Sequence, residues 1–113
     1  MPKYITECDV EQELLSIGVD DKAIDYLLEK SRFRILKLKG IKCHIANIMK
    51  QDMLSIGGDV AVNKGCVNCS VEHTDVLVMG TIKQIRLFTE KLCHQAGSCK
   101  DVAEELKAAI KGQ

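Results

Sequence analysis

The apolar positions of this chain follow two periods. Ile41, Ile45, Ile48, Met49, Met53 and Ile56 recur at the spacing of one wide helical stripe. Gly57-Gly58 ends that helix, because glycine tolerates positive φ. Asp59-Val60-Ala61-Val62 then reads as a short strand, and Asp75 to Met79 as a strand buried by its continuous apolar run. Upstream, Phe33 to Lys39 is strand-like. Lys37-Leu38-Lys39 alternates but Ile35-Leu36 breaks parity, so a bulge or burial on both faces is expected there. Ile82, Ile85, Thr89 and Leu92 mark a helix from Ile82 to Cys93, and Val102, Leu106, Ala109 and Ile110 mark the inner face of a last one.

Two more helices precede Phe33. Asp9 is placed to cap the first, with Gln12 at the capping-box position, and Gly18 to stop it. Asp20 or Asp21 caps the second, whose apolar face is Ala23, Ile24, Leu27 and Leu28. Tyr4-Ile5-Thr6 reads as a short edge strand. Gln95-Ala96-Gly97 breaks the penultimate helix and Ser98 caps the last. The order β-α-α-β-α-β-β-α-α predicts an α/β (or α+β) fold, a small mixed sheet of three or four strands with helices packed on it. The expected organisation is one domain over 1–113, with a helical pair at 9–30, a β-α-β-β-α core at 33–93 and a C-terminal helix at 98–111.

At 113 residues the chain is long enough for one core. Sixteen basic residues balance sixteen acidic ones, which argues against a general nucleic-acid binder. Two Tyr, two Phe and no Trp argue against a base-stacking platform. No apolar run reaches membrane-helix length and the N-terminus lacks a signal-peptide core, so a cytoplasmic protein with no membrane partner is expected. In that compartment the six Cys are expected as thiols or ligands rather than disulfides.

Three stretches carry candidate chemistry. Cys66-x-x-Cys69-x-x-x-His73 has the spacing of a metal knuckle for zinc or iron, with a fourth ligand to come from Cys43, His44, Cys93, His94 or Cys99. The same CxxC would suit a redox dithiol if it opened a helix, but it follows a strand and loop. Ordinary semi-buried thiols, with no cofactor, are the alternative to both. Asn47, Lys50 and Gln51 share one helical side and could grip a carboxylate, phosphate or amide, or else form a solvated face. Gly80-Thr81 opens a helix where exposed amides attract anions, and there Thr81 is also a plain N-cap. Lys37, Lys39 and Lys42 read as a solvated, protected strand edge.

Asn47, Ile48, Lys50, Gln51, Leu54 to Val62, Thr74 to Thr81, Lys83, Gln84, Gln95 and Gly97 together form a pattern. It resembles the extra N-terminal domain of the long dihydropteroate synthases of some anaerobic bacteria and archaea, over Phe33 to Leu106. The resemblance implies an accessory domain, here standing alone. The pterin-binding barrel of those enzymes needs about 250 residues and does not fit. The leading expectation is therefore a non-catalytic module binding a protein partner or forming a homodimer. A small anionic or pterin-related ligand would sit at Asn47, Lys50, Gln51, Gly80 and Thr81. A small metal-binding protein using Cys66, Cys69 and His73, and an enzyme of unknown type using the Asn47 face, are the alternatives.

Overall fold

Gly57 closes the central helix in the left-handed region, at φ +106°, and the sheet strands and the following helix pack against that helix. The computed structural model describes residues 1–95 and 97–113. Its elements in order are α1 (Val10–Ile17), α2 (Ile24–Ser31), β1 (Phe33–Lys42), α3 (Cys43–Ile56), β2 (Asp59–Ala61), β3 (His73–Thr81), α4 (Ile82–Cys93) and α5 (Cys99–Ala109), with short 3-10 turns at Glu7–Asp9, Asp21–Ala23 and Lys64–Val67. The mixed helix-and-strand architecture is the expected one. The strand directions are narrower than expected, because both pairings are antiparallel.

The sheet order is β1-β3-β2. Strands β1 and β2 run the same way, joined by the α3 crossover, and β3 occupies the gap between them. Thr74, Val76, Val78 and Gly80 of β3 point inward and are buried, while Leu77 points outward and is 39% exposed. The continuous apolar run of β3 is thus an alternating strand with one bare face, not a strand covered on both.

The β1–β3 register runs from Phe33↔Thr81 to Leu38↔Val76 and slips before Ile41↔Thr74. The bulge therefore lies at Lys39-Gly40, not at Ile35-Leu36, where Ile35 simply faces out and Leu36 in. Gly40 takes φ +67° there, and its amide donates to Asp75 Oδ1 at 3.1 Å. Ile41 consequently belongs to the end of β1, which runs to Lys42, rather than starting the helix.

The N-terminal part departs most from expectation. Residues 4–6 form no strand. Asp9 makes no cap hydrogen bond to the helix and instead accepts from Thr6 Oγ1 at 2.9 Å. Ser98 likewise makes no side-chain cap bond. Gly18 (φ +83°) and Asp20, accepting from the Lys22 amide, act as the turn chemistry requires. The expected break at 95–97 includes Ala96, which lies outside the described residues; Gly97 has φ +67°. Helix α1 buries no residue and leaves Leu15 and Ile17 exposed.

The core lies on the inner sheet face. Ile45, Met49 and Met53 of α3 and Ile82, Ile85, Phe88 and Leu92 of α4 meet Val60, Val76 and Val78, and α5 adds Val102, Ala103 and Leu106. The tightest approach involves two glycines. A Cβ on Gly58 would lie 2.7 Å from the Met79 carbonyl oxygen and 2.9 Å from Met53 Cε; one on Gly80 would lie 2.7 Å from the same Met53 Cε. The Met53 tip can swing, but the Met79 backbone is held in the sheet. Gly58→Ala is therefore expected to cost about 1–3 kcal/mol, and Gly80→Ala less. Urea unfolding of both variants checks the order; equal midpoints would refute it.

Candidate functional site

The candidate residues fall into two groups around α3. At its N-terminal end, Cys43 is the first helical residue, nearly buried, and its amide donates to the Glu72 carbonyl at 2.8 Å. Cys43 is disulfide-bonded to Cys69, with a Cα–Cα distance of 5.8 Å, inside the range such bonds require. Cys8, Cys66, Cys93 and Cys99 are free. The expectation of six thiols is thus corrected at two positions. The bridge closes a loop of 26 residues, which chain entropy values at roughly 3.5 kcal/mol.

The loop carrying the CxxC is built from its own polar groups. Asn63 Oδ1 accepts from the Gly65 amide at 2.7 Å and Asn68 Oδ1 from the Ser70 amide at 3.1 Å, two Asx-turns that reverse the chain over a few residues. Cys66 points into the core and is fully buried. Cys69 is exposed and takes φ +52°, the one non-glycine residue in the left-handed region among those described. The two cysteines of the CxxC therefore face different surroundings. Among the described residues no group of three or more His, Cys, Asp and Glu side chains has metal-binding geometry. His73 opens β3, exposed, opposite Lys42 of β1.

Asn47, one turn along α3 from Cys43, ties this end together. Its Nδ2 donates to the Cys66 carbonyl at 2.8 Å and lies 3.8 Å from Cys43 Sγ and 3.9 Å from Cys69 Sγ. A surface cavity of about 410 Å³ opens over the bridge, lined by Lys42, Cys43, His44, Cys69, Glu72 and His73 together with Val71.

The second group fixes the sheet. Lys50 Nζ donates to Asp59 Oδ1 and to the Val60 carbonyl, both at 3.0 Å. That ammonium, helped by the Val60 amide, holds the Asp59 carboxyl below its usual range. Gln51 is exposed. Gly80 is buried. Thr81 caps α4 in a complete capping box: Thr81 Oγ1 accepts from the Gln84 amide at 3.1 Å, and Gln84 Oε1 from the Thr81 amide at 2.9 Å. Among the described residues no hydrogen bond connects Asn47, Lys50 or Gln51 with Thr81. The structure brings Asn47 to the cysteine cluster and Lys50 to β2. Cys43 is the residue whose role the spacing did not reveal; its place one turn before Asn47 on the same helical side was the available signal.

Two other groups sit elsewhere. Burial pushes the Cys99 thiol up, with Asp52 adding to the shift, so Cys99 is an unreactive core thiol. Asp52 is half-buried, accepting from Gln95 Nε2 at 3.2 Å, at the border of the α3 stripe.

Compared with known proteins, the chain is 26% identical over 102 residues to a bifunctional dihydropteroate synthase/dihydropteroate reductase of Helicobacter pylori (strain ATCC 700392 / 26695). The match takes in 90% of this chain and 27% of that protein. The chain thus spans about a quarter of the length of the curated relative it matches. No family model matches it, and no solved structure does. The similarity is distant and partial. No helix among the described residues is long and apolar enough to cross a membrane.

The Lys50–Asp59 pair generates a pH test. A carboxyl depressed in the folded state contributes stability above its unfolded pKa that is lost as pH falls through the folded one. In Lys50→Met the Asp59 carboxyl is expected to titrate nearer the ordinary aspartate range, and the acid limb of stability to shift to higher pH. Carboxyl NMR titration of both proteins measures this, and identical Asp59 curves would disprove the pairing.

Proposed function

We propose that this chain is a non-catalytic accessory module that binds a protein partner of the dihydropteroate synthase type, using the bare face of its sheet. The observation that carries the reading is the shape of the similarity: nearly all of this chain against about a quarter of a much longer synthase-containing protein. In such a protein the corresponding unit works beside a far larger remainder.

The surface supports the same reading. Phe33, Ile35 and Leu77 project from the outer sheet face at 54%, 62% and 39% exposure. Register places Ile35 beside Met79 and Met79 beside Asp59, and Lys37 beside Leu77 and Leu77 beside Ala61. An apolar strip with charged ends is suited to a partner surface rather than to water. The aromatic inventory argues against a pterin slot: Phe88 is in the core, while Tyr4, Tyr26 and Phe33 stand exposed. Asn47 and Lys50 already donate to backbone and Asp59, which makes a small-ligand role at that face the weaker reading.

Mixed with a dihydropteroate synthase from the same source, the chain is expected to co-sediment with it. Ile35→Asp and Leu77→Asp should each weaken association at least tenfold with unchanged circular dichroism, as expected of residues at the centre of an interface. The isolated chain should show no synthase turnover with a pterin diphosphate and p-aminobenzoate. Turnover by the chain alone, or a chain that sediments unchanged beside the synthase, would sink the proposal.

A further inference from the structure

The cysteine cluster at the start of α3 is not used by the partner-binding reading, and it has the parts of a reactive site. We infer that the Cys43–Cys69 bridge is a thiol–disulfide exchange site for small anionic thiols, with Cys69 as the sulfur attacked. Four observations converge. The bridge joins an exposed residue, Cys69, to a nearly buried one, Cys43, so attack is directed to the Cys69 side. It borders a surface cavity of about 410 Å³, large enough for a peptide-sized thiol. The cavity wall carries the Lys42 ammonium and the imidazoles of His44 and His73 beside one acid, Glu72, so it offers an anionic thiol one fixed positive charge and N–H donors. The inner sulfur, Cys43, begins a helix of 14 residues and has the Asn47 amide 3.8 Å away.

The exchange proceeds in two steps. An external thiolate attacks Cys69 Sγ; the Cys43–Cys69 bond breaks, its electron pair passes to Cys43 Sγ, and a mixed disulfide forms on Cys69. The Cys43 thiolate is left at the positive end of α3, within reach of the Asn47 amide, which makes it a good leaving group. A second external thiolate then attacks the outer sulfur of the mixed disulfide. It forms the external disulfide and releases the Cys69 thiolate. Two external thiols are oxidised and one protein disulfide is reduced; the two thiol protons pass to solvent or to the new thiolates. Run backwards, an oxidised external disulfide loads Cys69, and Cys43 closes the bridge.

The site is also placed to have an effect. The bridge, the Asn47 bond to the Cys66 carbonyl and the Cys43 amide bond to Glu72 fasten the middle and far end of the loop to α3. Opening the bridge removes the covalent one of those three ties. Asn47 is a positioning residue here, since it holds the Cys66 carbonyl and faces both sulfurs.

The test uses the full chain carrying Cys8→Ser, which removes the exposed competing thiol. Treated with reduced glutathione and quenched with acid at intervals, it should show a transient glutathione adduct on Cys69 and none on Cys43 by peptide mapping. Compared at equal thiolate concentration, glutathione should react at least about fivefold faster than the cationic thiol cysteamine, with the ratio shrinking at high salt and in Lys42→Ala. In Cys43→Ser the Cys69 adduct formed from oxidised glutathione should accumulate. Asn47→Ala should shift the pH at which the Cys43 thiolate appears, read as alkylation rate, to higher values. If Cys43→Ser does not fold, the quenched time course of the Cys8→Ser chain still decides. Absence of a Cys43–Cys69 linked peptide from a non-reduced digest, an adduct on Cys43 instead of Cys69, cysteamine matching glutathione, or a zinc ion on the reduced cysteines that blocks the reaction would each overturn the inference.

Discussion

The approach of Met53 to Gly58 and Gly80 sets the spacing on which the rest depends. Helix α3 must lie close to the β2–β3 pair for its stripe to bury Val60, Val76 and Val78, and no Cβ fits where the three segments meet. Two glycines therefore stand at the crossing, and a methionine, the most adaptable large apolar side chain, fills what remains. Gly57 makes the turn just before, and its amide donates back to the Met53 carbonyl at 3.1 Å. The stretch Leu54 to Val62 and the stretch Thr74 to Thr81, which carry the family-like pattern, meet at this point. Much of that pattern is thereby accounted for by packing: Gly58 and Gly80 by close approach, and Thr81 with Gln84 by the capping box that starts α4 beneath the same methionine.

Lys50 and Asn47 extend the same logic in two directions from one helix. Lys50 reaches the short edge strand β2, three residues that among the described residues have only β3 as a strand neighbour, and adds two bonds to it. Asn47 reaches the loop after β2 and fixes the Cys66 carbonyl, which lets the Cys66 side chain enter the core while Cys69 turns outward. That carbonyl also accepts from the Cys69 amide at 3.3 Å, so Asn47 supplies its second and shorter bond. Residues that look like a binding face in one dimension thus hold the secondary elements that α3 crosses.

How much was legible follows from which signals were local. The limits of α4 at Ile82–Cys93 and the stop of α3 at Gly57 were read correctly because periodicity and glycine punctuation act within a few residues. Asp9 and Ser98 do stand at the N-cap positions, but neither makes the side-chain cap bond: Asp9 is drawn to Thr6, and Ser98 has a helical backbone rather than the extended one a cap uses. The bulge was placed four residues early because a pair of adjacent apolar residues, Ile35-Leu36, mimics a parity break when one strand face is bare. The same bare face hid in β3, since Val76-Leu77-Val78-Met79 looks covered on both sides whether or not anything covers it. At the candidate site, the CxxC drew attention to Cys66 and Cys69 as a pair. Their separation came from Asx-turns and from Cys43, which lies 26 residues away from Cys69, and no local pattern reports a contact of that range.

The N-terminal hairpin and the outer sheet face are two aspects of one imbalance. Helices α3 and α4 cover one side of a three-stranded sheet, and the single buried side chain of α2, Leu28, is all that the first 31 residues bury deeply. The hairpin is held at its edges by charge: Arg34 on β1 grips Glu7 at 2.6 Å and Gln113 at 3.0 Å, and Arg86 on α4 grips Glu29 at 2.7 Å. Exposed pairs of this kind contribute little each, about 0–1 kcal/mol. They orient the hairpin more than they stabilise it, and they leave Leu15, Ile17 and Tyr26 in solvent next to a chain that already shows Phe33 and Ile35. The body is long, 52 by 31 by 21 Å, and the hairpin packs through α2 against α4 while the outer sheet face stays uncovered. The apolar side chains it leaves uncovered are those a second surface could cover without any rearrangement of the first.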